Sequence, residues 1–159
     1  MEITTEKWRE KMDPKPVVIS HNEVVSDVNF EKGNVVNFSV CKETVGSKRV
    51  VMGRTVIPPH TWSKRHFHSS AEACIHIVSG TLVAYLGPDA ERKVLPPGSF
   101  MYIPEGAIHG GANPSDEEIV LIFTYGGVPN KEAAGIIEIT EKEGVYPPAN
   151  WDDPATLIP

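Results

Sequence analysis

Residues 98–113 read Gly98-Ser99-Phe100-Met101-Tyr102-Ile103-Pro104-Glu105-Gly106-Ala107-Ile108-His109-Gly110-Gly111-Ala112-Asn113, and this stretch decides the fold. An apolar and aromatic run of strand character stops at a proline, turns at a glycine and delivers a histidine. Pro104 fixes φ and Gly106 permits φ > 0, which together suit a sharp reversal between two strands. Upstream lies His66-Phe67-His68. On a strand those two imidazoles share a face, with Cα atoms about 6.5–7 Å apart. Across that span both rings reach one cation at about 2.0–2.1 Å from nitrogen. The reversal at Pro104–Gly106 returns the chain so that His109 faces them. Three imidazoles are thereby offered to one metal ion, with Glu72 as a candidate fourth ligand.

The two stretches carry unequal weight. With six histidines in 159 residues, a His-x-His pair arises by chance roughly 0.2 times per chain. The set Gly98, Pro104, Gly106, His109 and Asn113 arises in about 1 of 7,000 random chains of this composition. The second stretch therefore supplies most of the specificity.

Both stretches resemble the two signature motifs of the cupin superfamily, over about residues 50–125. The second motif matches at every fixed position: Gly98, Pro104, Gly106, His109 and Asn113. The first matches at His66, His68 and Gly80 and departs twice. The family's leading glycine falls at His60, and its usual glutamate falls at Ala73, one place after Glu72. The resemblance implies an all-β fold, a double-stranded β-helix or jelly roll, here with a short N-terminal helix and an extended Pro-rich C-terminal tail. It implies a metal site at His66, His68, Glu72 and His109, and an oligomer, expected here to be a homodimer that exchanges its tail.

Strand parity leaves Glu72 open. On a regular strand Glu72, Cys74 and His76 point one way and Ala73, Ile75 and Ile77 the other. An inward Ala73 puts Glu72 outside, as a solvated carboxylate. A β-bulge near Ser69-Ser70-Ala71 re-aims it inward, as a metal ligand or catalytic base.

Composition bounds the rest. The chain is long enough for one domain with a real core, expected as a single unit over 1–159 with a barrel at about 33–127, an N-terminal arm at 1–32 and a tail at 128–159. A net charge of −6 with no basic stripe argues against nucleic-acid binding. No apolar run is long enough for a membrane span. Met1 to Glu6 lacks the basic start and apolar stretch of a secretion signal, which points to the cytoplasm. Cys41 and Cys74 are expected as free thiols there.

Along the chain, residues 4–12 suit a short helix stopped by Pro14 and Pro16. Strands are expected over 35–44, 50–57, 73–78, 81–86, 100–103 and 118–125, with Val17-Val18-Ile19 a short apolar run, and a last strand over 136–140. Residues 129–135 read as a loop or single turn. Tyr146 to Pro159 holds four prolines, too many for regular structure; Trp151, Leu157 and Ile158 favour its docking on the body or a neighbouring subunit. His60 and His21 read as loop residues, His76 as a strand residue and Asn113 as a turn-former before Pro114. Arg54, Lys64 and Arg65 lie near the ligands in sequence and read as solvated surface charges. Trp62, Met101, Phe123 and Tyr125 are among the bulky residues available to line an apolar pocket.

Three neutral imidazoles leave the charge of a divalent metal uncompensated and leave coordination positions open. Such a site favours anionic, oxygen-chelating ligands. Imidazoles with vacancies suit Fe, Ni, Cu, Zn or Mn, and with Fe(II) they suit chemistry with O₂. The expected function is a small metal-dependent enzyme of dioxygenase type acting on a small chelating organic substrate. Oxygen-independent isomerase, decarboxylase or lyase chemistry and non-catalytic ligand binding are the alternatives.

Overall fold

The computed structural model describes residues 15–159; the helix expected over 4–12 lies outside them. Twelve strands follow in order: β1 (Ser26–Asp27), β2 (Val35–Val40), β3 (Val50–Ile57), β4 (Thr61–Trp62), β5 (His66–His68), β6 (Glu72–Ser79), β7 (Leu82–Leu86), β8 (Glu91–Leu95), β9 (Phe100–Ile103), β10 (His109–Asn113), β11 (Ile119–Gly126) and β12 (Ile136–Glu138). A single helical turn, α1 (Lys42–Val45), interrupts them, with short 3-10 turns elsewhere. One sheet runs β1-β2-β3-β11-β6-β9 and the other β12-β5-β10-β7-β8, with β4 also pairing β10. The fold is an all-β double-stranded β-helix, antiparallel at every pairing described.

Alternation writes this architecture into the strands. In β11, Ile119, Leu121, Phe123 and Tyr125 are buried while the residues between them are not. β3 alternates the same way, burying Val51, Thr55 and Ile57. Facing residues of both sheets meet in one core that includes Val36, Ile77, Leu82, Ile103, Ile119 and Leu121. Phe38, Phe123 and Tyr125 extend it in edge-on and tilted contacts with centroids 5.2–5.4 Å apart, the aromatic geometry that adds to simple burial.

Several elements differ from expectation. The strand expected over 35–44 ends at Val40. Thr44 Oγ1 accepts from the Cys41 amide at 3.0 Å, and Gly46, at φ 69°, closes α1, so local capping overrides the β-branched run. Val17-Val18-Ile19 forms no strand; Val17 and Val18 are exposed. β8 was not anticipated, and β10 is the returning strand that the reversal at Pro104–Gly106 implied without bounds. Glu91-Arg92-Lys93 and Gly110-Gly111 are poor strand formers, and both segments are held extended by pairing to β7.

The tail docks on its own barrel. Tyr146 is buried against Trp62 and Tyr85, with centroids 5.6 and 5.2 Å away. Trp151 and Leu157 join them in a second apolar cluster outside the β7–β10 face. The tail is not wholly extended: Pro154–Leu157 forms a 3-10 turn capped by Asp153, which accepts from the Ala155 amide at 2.8 Å. No helix among the described residues is long and apolar enough to cross a membrane.

Candidate metal centre

β5 and β10 are antiparallel neighbours, and their pairing places His109 opposite His66. The two-residue period of β5 then puts His68 on the same face as His66. The three ring centroids lie 4.4–5.3 Å apart, and the three candidate donor nitrogens fall within 4.8 Å of one another. Bonds of about 2.0–2.1 Å to one ion need the nitrogens somewhat closer, a change within reach of small ring rotations. The turn that delivers His109 is built as the sequence implies, with Gly106 at φ 79°.

Hydrogen bonding pre-orients two of the rings. His109 Nδ1 donates to the Ala107 carbonyl at 2.9 Å and His66 Nδ1 to the Lys64 carbonyl at 3.2 Å. Each leaves Nε2 with its lone pair free, the usual outer-sphere arrangement of a metal-binding histidine. His68 is 2% exposed, and neither of its ring nitrogens has a hydrogen-bond partner. A buried, unpaired polar group is costly, and a metal ion satisfies one of these nitrogens. Burial, with His66 nearby, lowers the His68 pKa to about 4 and that of His109 to about 3. Both rings are therefore neutral near pH 7, the protonation state that ligates. Donor type, spacing and the orphaned imidazole all fit a divalent transition metal.

Glu72 lies elsewhere. Ala73 is buried and lines the cavity, so the alternation of β6 sends Glu72 to the outer face. There its carboxylate accepts from the Tyr102 hydroxyl at 2.9 Å. The pairing of β6 with β11 stays in register from Glu72 to Ile77, so no bulge turns Glu72 inward.

The imidazoles line a cavity of about 900 Å³ inside the barrel. Trp62, Met101, Phe123 and Tyr125 also line it, whereas Phe100 and Tyr102 project outward from β9. Tyr125 packs beside His68 with centroids 4.8 Å apart, and burial holds its phenol well above the usual range.

Arg65 differs from its reading in the sequence, and Asn113, read there as a turn-former, does more than close a turn. Arg65 is not solvated: it is 2% exposed, its guanidinium donates to both carboxylate oxygens of Glu141 at 2.7 Å, and it lies under the Tyr146 ring. It thus braces β5, next to His66, against the tail. Arg54 and Lys64 are exposed, as expected. Asn113 is fully buried; its Nδ2 reaches the carbonyls of Ile57, Pro58 and Glu117 at 2.7–3.2 Å, and its Oδ1 accepts from Ser115. This ties together the loops below the metal-facing strands. His60 stands in a left-handed conformation at φ 52°, which explains a preference for glycine at that position.

No protein of curated function matches the chain by sequence. Among solved structures, the chain is similar to the polyketide cyclase RemF from Streptomyces resistomycificus, at 18% identity and a TM-score of 0.66, covering 83% of this chain and 91% of that one. It is similar also to an uncharacterised conserved protein with a double-stranded β-helix domain from Klebsiella pneumoniae, at 17% identity and a TM-score of 0.61, covering 80% and 100%. The oxalate decarboxylase of Lactobacillus farciminis matches at 18% identity and a TM-score of 0.66, covering 80% of this chain and 37% of that one. These likenesses share the barrel. Residues 53–125, which hold all three imidazoles, match the cupin domain model, and this part of the chain is a cupin domain.

Proposed function

We propose that His66, His68 and His109 hold one divalent transition metal ion and that the protein is a small metal-dependent enzyme of dioxygenase type acting on a chelating organic molecule. The observation that carries this reading is His68, buried with both ring nitrogens unpaired. A metal held there supplies a Lewis-acidic centre for substrate oxygens and, as Fe(II), reducing electrons for O₂. The chain's own residues do the remaining work. Lys64 and Ala107 carbonyls fix two rings in the ligating tautomer. The apolar wall excludes water, which strengthens electrostatic contacts inside the site. Tyr125, neutral and lining the cavity beside His68, is placed to donate a hydrogen bond to a bound anion. Glu72 takes no part in this reading.

Oxygen uptake by Fe(II)-loaded protein, screened over 1,3-diketones and catechols, tests the proposal. Uptake that disappears in His109→Ala supports it. Product formed under strict anaerobiosis moves the protein to oxygen-independent chemistry, and tight binding without product makes it a ligand-binding cupin. We further propose a homodimer, which light scattering tests, and a reducing compartment such as the cytoplasm, supported by two free thiols.

A further inference from the structure

Away from the imidazoles the barrel's inner wall is mostly apolar, broken by the hydroxyls of Thr55 and Tyr125. Ile57 of β3, Ile75 of β6, Met101 of β9 and Leu121 and Phe123 of β11 all line the cavity. Cationic side chains near it are engaged or outside. Arg54 is exposed on the outward face of β3. Arg65 is bound to Glu141, Arg92 donates to the carbonyls of Thr156 and Ile158, Lys64 pairs with Glu138, and His60, which also lines the cavity, is held by Asp116 and Asp152. Lys32 also lines the cavity but is exposed, which places it at the rim. A second anionic group carried deep into the barrel would lose its hydration and meet no counter-ion, a strongly unfavourable burial. The space itself, about 900 Å³, lies near the top of the range of about 300–1,000 Å³ that holds drug-sized ligands.

Resting on the three-histidine metal reading for its anionic end, we propose that the substrate has two parts. A chelating oxygen head, an enolate or catecholate, sits at the imidazoles. An uncharged apolar body, aromatic or alkyl, fills the barrel against Met101, Leu121 and Phe123. Small dianions and ligands with a second carboxylate are excluded by the same wall.

Calorimetry on Zn(II)-loaded protein under anaerobic conditions tests this with one head and three bodies: catechol, 4-tert-butylcatechol and 3,4-dihydroxybenzoate. The alkyl group raises affinity by at least about tenfold, since apolar burial contributes about 25 cal/mol per Å². The carboxylate lowers affinity relative to catechol. Met101→Lys, which puts a cation into the wall, reverses the order of the last two, and Phe123→Ala removes part of the alkyl advantage while sparing catechol. Circular dichroism shows whether each variant folds, and the wild-type ranking stands without them. Equal affinities, or a preference for the carboxylate in wild-type protein, overturn the proposal while leaving the metal site intact. Failure to take up Zn(II) in equilibrium dialysis overturns the metal site instead. The body preference is then read in metal-free protein, where the same order supports the inference and a flat or reversed order sinks it.

Discussion

His60 Nδ1 lies 2.5 Å from Asp152 Oδ1, across 92 residues of sequence, and its Nε2 lies 2.8 Å from Asp116 Oδ1. Both partners are carboxylates and can only accept, so the two contacts are hydrogen bonds together only when the ring carries both protons, as an imidazolium. The hydrogen bond to Asp116, then that to Asp152, raises the His60 pKa above its ordinary value. This ring clasps the C-terminal tail beside Trp151, a residue that lines the cavity.

The sign of the pH effect follows. A raised folded-state pKa gives a stabilisation that is fully present below the unfolded histidine value and lost as pH rises through the folded one. Amide exchange of residues 151–157, corrected for its intrinsic pH dependence, is expected to be slowest in mildly acidic solution and to quicken as the pH passes the raised value. His60→Gln flattens that dependence. A wild-type profile equally flat across the range contradicts the clasp.

Removing His68 has opposite effects in the two states of the protein. His68→Leu abolishes metal uptake. In metal-free protein it relieves a buried unsatisfied group and raises stability by about 1–2 kcal/mol, within the usual cost of such groups. Wild-type protein recovers the advantage once metal is present, by about 2.7 kcal/mol at a hundredfold excess over Kd. Melting temperatures of both proteins, with and without Zn(II), check this crossover. A metal-free variant less stable than wild type counts against an orphaned imidazole.

His109→Ala is expected to weaken metal binding by more than about 100-fold, since loss of mere outer-sphere partners already costs 10–100-fold. Glu72→Gln leaves metal affinity unchanged, because its carboxylate faces the other side of β6. Equilibrium dialysis distinguishes them, and loss of metal in Glu72→Gln contradicts the placement.

Breaking the Arg65–Glu141 pair from one side leaves a buried guanidinium uncompensated. Glu141→Gln is expected to destabilise the fold by about 3 kcal/mol, whereas the double variant Arg65→Met with Glu141→Leu restores much of it. Denaturant titration measures both, and additive losses in the double variant refute the coupling.

The sequence by itself determined the strand-rich class, the reversal at Pro104–Gly106 and the shared face of His66 and His68. Each rests on local physics: period-two alternation, the fixed φ of proline and the freedom of glycine act within a few residues. Tertiary structure decided the rest. Glu72 had two readings because parity does not reveal which face of β6 meets the core; the burial of Ala73, with a register to β11 unbroken from Glu72 to Ile77, does. Arg65 read as a solvated charge and His60 as a loop residue without a partner because Glu141, Asp116 and Asp152 are 56–92 residues away, beyond any spacing rule. β8 and β10 oppose their own propensities, and pairing holds them extended, β8 on the edge of β7 and β10 between β7 and β5. The cavity's apolar wall, drawn from strands of both sheets, exists only once those strands have closed around it.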